Sequence, residues 1–293
     1  MSNLIIKRSY ESFLKICQDH QGSFSLPGEG SQYTNGNQIF VLDGSTRTIY
    51  KYSLSTSWSL PTISFEYAYQ MDDTMNIPSD IYFRPDGRAA YFSEAVGGAI
   101  SDTDVYEYGL GTAWDVRTMF FNRVTTFSGG GLYDITGFEF KPDGTKMFVP
   151  DDNDDSIFSF GFSKAWDISS WQYLAKYSIA NPGHASPVDL RVGGAGTRIY
   201  VIDNFIQSVR QYTMNTAWDL TSISGQLQQS VTAASGYTGI YLNANEDKLF
   251  LLSKGSDAIY QYGFSTPGDV TTISLQDSKD ISNKTTSAKS FAF

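Results

Sequence analysis

Cysteine is almost absent: Cys17 stands alone, so no disulfide within the chain can form. The fold must be held by its apolar core and by the way its ends are closed. Histidine is nearly as scarce, with only His20 and His184, and this removes zinc chemistry built on His and Cys ligands. Positive charge is in short supply too, 21 Lys and Arg against 31 Asp and Glu, for a formal net charge of -10. That balance repels phosphate backbones, and no basic stripe with interleaved aromatics offsets it, so nucleic acid is excluded as the expected partner. Long apolar runs are missing as well. The opening residues MSNLIIKRSY hold a short apolar run, Leu4 to Ile6, followed at once by Lys7 and Arg8. Nothing approaches a secretory h-region or a membrane span, so the expectation is synthesis in the cytoplasm without a signal peptide, and no membrane partner. There is no phosphate-cradling glycine loop and no nucleophile elbow; Gly129-Gly130-Gly131 reads as a connection between units.

What is abundant is aromatic and β-favouring. Phe, Trp and Tyr make up 15% of the chain, which suits pleated, half-buried surfaces better than helices. From Tyr33 onward the sequence repeats about every 52 residues, a period that marks propellers and solenoids. The repeat is clearest in the runs TIYKYSL (48–54), DVYEYGL (104–110), SIFSFGF (156–162), SVRQYTM (208–214) and AIYQYGF (258–264), most of which alternate apolar with polar or small residues. A corner follows each of them, with Trp58, Trp114, Trp166 and Trp218 in the first four and Gly268 in the fifth. Upstream of each run lies a hairpin turn: TNGN, PDGR, PDGT, GAGT and ANED. Adding the run before the turn and a variable run after the corner gives four strands per unit, here lettered A to D.

The ends of the chain set the count. The first unit has a turn at Asn35-Gly36 but no apolar strand before it, while the last residues, Ala288 to Phe293, align with strand A. The fold class is therefore all-β, a five-bladed β-propeller over residues 33–293 whose first blade is completed by the C-terminal strand. Closure of this kind removes the exposed edges of an open array. Residues 1–32 stand outside the repeat. Tyr10, Phe13, Leu14 and Cys17 fall at helical spacing behind Ser9, a candidate N-cap, so the predicted start is a short amphipathic tail and linker. Such a helix is marginal alone; it either caps the propeller or docks into a partner.

At these residues the chain resembles a family of propeller repeats of the form PDGTKMYV…VYQYxLSTAWDIS, found in bacterial and bacteriophage proteins. The likeness is strongest over FKPDGTKMFV, SIFSFGF and KAWDI in the third blade. It weakens in the fifth, where Gly268 replaces Trp and Glu246 replaces the turn glycine. The resemblance implies a propeller and brings no catalytic motif with it.

Strand A is innermost in a propeller, so its polar residues are the candidates for chemistry. Asp80, Glu139 and Asp189 could converge on the central channel as a general acid and base for glycan cleavage. Alternatively, Asp80 and Asp189 bind backbone amides and Glu139 pairs with Arg191. Asp151, Asn153 and Asp155 alternate as in a calcium loop but lack its following Gly and Glu, which leaves a weak structural calcium site as the sole cofactor candidate beside a solvated turn. The repeating Trp residues read as scaffold, each packing on outer-strand side chains, with the Asp of the corner capping the turn. Features that do not repeat are better recognition candidates. These are the lengthened B–C loop with Glu94, Asp102 and Asp104, and the D–A connections with Tyr69, Met71, Tyr133 and His184, all on one face. Taken together the expectation is a non-catalytic structural or binding module, a bacteriophage virion component docking to other structural proteins through its tail. The alternative is a propeller that cleaves or binds glycan, such as a cell-surface glycan, in its channel.

Overall fold

A computed structural model describes residues 36–94, 103–179 and 185–293. The tail residues Tyr10, Phe13, Leu14 and Cys17, together with Asp102 and His184, lie outside the described residues. The chain forms a five-bladed β-propeller, five antiparallel sheets of four strands each arranged in a ring. Blade 1 pairs β1 (Gln38–Asp43), β2 (Thr48–Leu54) and β3 (Ile63–Gln70) with β20 (Ala288–Ala292). Blade 2 holds β4 (Pro78–Phe83) to β7 (Met119–Thr126), and blade 3 holds β8 (Glu139–Phe140) to β11 (Trp171–Ser178). Blade 4 runs from β12 (Pro187–Gly193) to β15 (Ile223–Ser230), and blade 5 from β16 (Tyr237–Leu242) to β19 (Ile273–Asp280). Among the described residues the helices are single 3-10 turns, and none is long and apolar enough to cross a membrane.

Ring closure is as the ends of the sequence suggest. β20 lies antiparallel to β1 with Phe40 opposite Ala292 and Val41 opposite Phe291, and both Phe291 and Phe293 are fully buried. The Phe293 ring sits 4.5 Å from that of Phe250 and 4.7 Å from that of Tyr241, so the last residue packs on blade 5 while completing blade 1.

Strands A to C are buried nearly throughout, whereas the D strands repeat a pattern of mostly exposed side chains. The core accordingly lies between blades. Its aromatic contacts follow one plan. Trp58 stacks on Tyr241 of blade 5, Trp166 on Tyr91 of blade 2, and Trp218 on Phe148 of blade 3, with centroids 5.8 to 6.2 Å apart. This corrects the expectation that the corner indoles rest on outer-strand residues: these three face the inner strands of a neighbouring blade, and Trp114 packs 5.5 Å from Phe83 on the inner strand of its own. The corner Asp does cap the turn, as when Asp115 accepts from Arg117 N at 3.1 Å and Asp219 from Thr221 N at 3.0 Å.

The corner and the A–B turn are built as one unit. The four corner Trp residues have φ near +60°, an uncommon conformation for a side chain of that size. In blade 3 the Trp166 amide donates to Gly144 O at 2.9 Å, and the indole covers the glycine so closely that a Cβ there would come within 2.4 Å of the ring. Blade 5 reverses both residues. Gly268 takes the left-handed corner position, and Glu246 (φ +51°) takes the turn. The Glu246 carboxylate fills the place of the indole, accepting from Arg198 Nε at 2.9 Å and Tyr200 Oη at 2.7 Å, both on blade 4. The two departures from the repeat therefore compensate each other.

Candidate functional site

The inner strands lay down successive layers along the channel. One layer is Asp80, Gly137, Asp189, Gly239 and Ser290 in blades 2, 3, 4, 5 and 1. Asp80 accepts from the Ile81 amide and, across the interface, from the Phe138 amide of blade 3, both at 2.8 Å; Ser290 of blade 1 also donates to it. Asp189 does the same one step on, accepting from Leu190 N at 2.7 Å and from Ile240 N of blade 5 at 2.9 Å. Glycine at the alternate positions makes room: a Cβ on Gly137 would lie 2.7 Å from Asp189 Oδ1.

Two positions further along these strands come Tyr82, Glu139, Arg191 and Tyr241, all buried; the Tyr82 ring packs on Phe140 of blade 3 and the Tyr241 ring on Phe293, with centroids 5.2 and 4.7 Å apart. Arg191 Nη1 donates to Asp189 Oδ1 at 2.9 Å and to Leu190 O at 2.7 Å, while its Nε lies 3.6 Å from Glu139 Oε2. Glu139 Oε2, Arg191 Nε and Arg191 Nη2 have no hydrogen-bond partner among the described residues. Burial pushes the Glu139 carboxyl up to about 8 against the opposing pull of Arg191, with Asp189 and Asp80 adding repulsion. Asp189 and Asp80 are raised for the same reason, burial first, with Arg191 again opposing.

The sequence candidates Asp80, Glu139 and Asp189 are thus brought together, but as ties between blades rather than as open carboxylates. Glycan cleavage needs a sugar ring between two carboxylates, and these three are sealed from solvent, with the Asp80 and Asp189 oxygens taken by backbone amides, Ser290 and Arg191.

The end of strand B carries a second recurring device. Asp43, Glu94, Asp151 and Asp203 occupy this position in blades 1 to 4, with Ser253 in blade 5. Asp151 accepts from Asn153 N and Asp154 N of its own turn, at 2.9 and 3.2 Å, and from Tyr133 N and Asp134 N of the preceding D–A loop, at 2.6 and 3.2 Å. Asp203 binds Phe205 N, Ser186 N and buried Arg210 in the same way. Of the residues considered for calcium, then, Asp151 is engaged by four amides, and Asp155 Oδ1 accepts from Ala185 N at 2.9 Å. Among the described residues no group of three or more His, Cys, Asp or Glu is placed to hold a metal ion.

Two members of the expected recognition surface are corrected by their burial. Glu94 accepts from the Asn76 and Ile77 amides and, at 2.5 Å, from Tyr106 Oη, which makes it the blade 2 version of the loop staple. Met71 is in the core between blades 1 and 2, with Tyr69 half-buried against it. Asp104 accepts from Thr126 Oγ1 at 2.5 Å across its own sheet. Tyr133 alone of the described set is well exposed.

Sequence reading missed the outer edge. Phe120, Phe121 and Val124 on β7 are exposed, as are Tyr173 and Leu174 on the next blade's β11, where blades 4 and 5 expose chiefly Gln, Ser and Asp. The signal is in the chain, since MFFNRV and WQYL are more apolar than ISGQLQQ, but it falls in the most variable strand of the repeat.

No family model and no curated protein matches the chain. Its fold is shared with solved propellers. A chain of the nidogen–laminin complex is 11% identical and aligns over 90% of this chain and 82% of its own, with a TM-score of 0.53. The periplasmic gluconolactonase of Pseudomonas aeruginosa is 10% identical, aligned over 90% and 72%, with a TM-score of 0.50. At such identity the likeness is one of fold, and function must be argued from the site.

Proposed function

We propose that the protein is a non-catalytic propeller that serves as a structural and binding module of a larger assembly. The observation that carries this reading is the use made of the channel chemistry: Asp80, Glu139 and Asp189 are buried and spent on holding blades together. A hydrolase would keep such groups open to substrate. The outside of the ring offers a contact surface, with Phe120, Phe121 and Val124 exposed on the outer strand of blade 2 and Tyr173 and Leu174 on that of blade 3. The assembly we propose is a bacteriophage particle, on the resemblance of the repeats, with the tail residues Tyr10, Phe13, Leu14 and Cys17 as the docking element toward other structural proteins.

Mass spectrometry of purified particles checks the assignment. The protein is expected in stoichiometric amount, and its absence from intact particles would overturn it. The competing reading, glycan cleavage in the channel, is decided by incubating the wild type with a panel of polysaccharides. Turnover that disappears in Asp80→Asn or Asp189→Asn variants that remain folded would replace the structural reading with the enzymatic one.

A further inference from the structure

Four of the five inner strands skip one residue in pairing with strand B: Ser79 in blade 2, Val188 in blade 4, Thr238 in blade 5 and Lys289 in blade 1. Such a bulge leaves the extra residue unpaired and re-aims its side chain. Thr136 holds the aligned position in blade 3. These five residues, one from every blade, line a single cavity of about 130 Å³ at the mouth of the channel, together with Asp134 and Ile135.

The walls of this cavity are fixed by bonds within and between blades. Thr136 Oγ1 donates to Pro150 O of its own blade and to Pro187 O of blade 4, both at 3.3 Å. Thr238 Oγ1 donates to Ala288 O on the closing strand at 3.2 Å, and the Ser79 hydroxyl lies 2.7 Å from that of Ser93. Four of the ring positions are uncharged and short, and the fifth is a lysine. Among the described residues Lys289 forms no ion pair. Burial and the like charge of Lys254 hold its ammonium below the usual lysine range, against the pull of Asp43. Asp134, which also borders the cavity, is engaged in an interaction of its own. Half-buried Lys289 thus lines a preformed cavity together with Ile135 and Val188, on a chain of net negative charge.

We propose that the channel mouth binds a short-chain organic carboxylate, with its charge on Lys289 Nζ and its carbon chain against Ile135 and Val188. The size suits on the order of six heavy atoms, since an apolar cavity of about 150 Å³ accepts benzene. The net charge of the protein repels anions at a distance, so occupancy depends on the local contact with Lys289. The site stands whether or not the propeller belongs to a larger assembly.

The test uses the full chain, with propionate and butyrate as probes and chloride and phosphate at matched ionic strength as controls. Saturable binding is followed by ligand-detected NMR and by the shift in unfolding temperature. The wild type should bind both carboxylates saturably at millimolar concentrations. Lys289→Met, which keeps the aliphatic stem, should weaken binding at least about tenfold, the loss expected for one charge-assisted contact. Val188→Phe should block the cavity while leaving the cation, and Lys289→Gln substitutes for the Met variant if that one does not fold. No saturable binding by the wild type, equal binding by the charge-neutral variant, or equal binding of phosphate would each overturn the assignment.

Discussion

Replacing Gly268 by Trp puts an indole where four blades already carry one, but over a turn that holds Glu246 in place of glycine. The cost follows from the geometry. A Cβ at Gly268 would stand 2.7 Å from Arg198 Nη2 and 2.9 Å from Glu246 Oε2, so the ring must displace a carboxylate with four donors around it. Overpacking costs about 1–3 kcal/mol, and a left-handed backbone adds about 1–2 kcal/mol for a residue other than glycine. Glu246→Gly has its own cost, because Tyr200 Oη and Arg198 lose their acceptor; hydrogen bonds to a charged group are each worth about 1.5–3 kcal/mol, less where the pair is partly exposed, as Arg198 is. The double variant recreates the arrangement of blade 3, with an indole lying on a bare glycine. The two substitutions should therefore interact favourably by about 1–3 kcal/mol in a double-mutant cycle. Urea unfolding of wild type, both single variants and the double variant measures this directly, provided all four share one m-value. Additivity within about 0.5 kcal/mol would refute the view that corner and turn form one compensated unit.

Phe293→Ala should destabilise by about 3–5 kcal/mol, because the ring is fully buried against Trp58, Tyr241 and Phe250; a loss under about 1 kcal/mol in urea melts would mean that the terminus does not close the ring. Deleting residues 288–293 should expose the edges of β1 and produce concentration-dependent aggregation, which light scattering reads. Glu139 has its carboxyl at about 8 in the fold against an ordinary 4.5, so between those values the folded state holds a proton that the unfolded chain has released, and stability falls as pH rises through that window. Glu139→Gln should flatten the fall, and parallel pH profiles for variant and wild type would sink the argument. Asp151→Ala leaves four amides without their acceptor and should speed hydrogen exchange at Tyr133 and Asp134, while calcium should leave the wild-type unfolding midpoint where it is. A calcium-dependent rise in that midpoint would restore the metal reading of the turn.

The blades, their number and the closing strand were legible because each rests on local pattern: alternation in strand C, turn chemistry between A and B, and an orphan run at the C-terminus that matches strand A. What the sequence could not show is where a side chain goes once five sheets face one another. The Trp residues look like surface corners in the chain but turn inward, because a left-handed corner aims the indole at the neighbouring blade. Glu94 looks like the start of a variable loop, yet its carboxylate is the blade 2 copy of the staple made by Asp43, Asp151 and Asp203. The pairing of Glu139 with Arg191 was readable as an alternative, since opposite charges two positions past Gly137 and Asp189 fall in one layer. The bulge at Lys289 was not, because register is set by the partner strand.

The inner ring also explains why the closing strand carries the odd residues. A carboxylate in the Asp80 layer reaches the next blade's amide, and the blade that donates carries glycine at the layer position. Asp80 with Phe138 N beside Gly137, and Asp189 with Ile240 N beside Gly239, make two such pairs. The room at Gly137 serves the following carboxylate, since a Cβ there would meet Asp189 Oδ1, whereas at Gly239 it would meet the Phe291 ring. Five is odd, and blade 2, which follows the fifth position, already presents Asp80. A third Asp there would set two carboxylates side by side in a buried layer. Ser290 resolves the conflict by donating to Asp80 instead of competing with it. Each interface then has its own tie: Asp80 to Phe138 N, Glu139 to Arg191, Asp189 to Ile240 N, Thr238 to Ala288 O, and Ser290 to Asp80. The symmetry of the repeat must break somewhere in a five-membered ring. It breaks on the strand that closes it, where Lys289, next to Ser290, is bulged into the channel mouth.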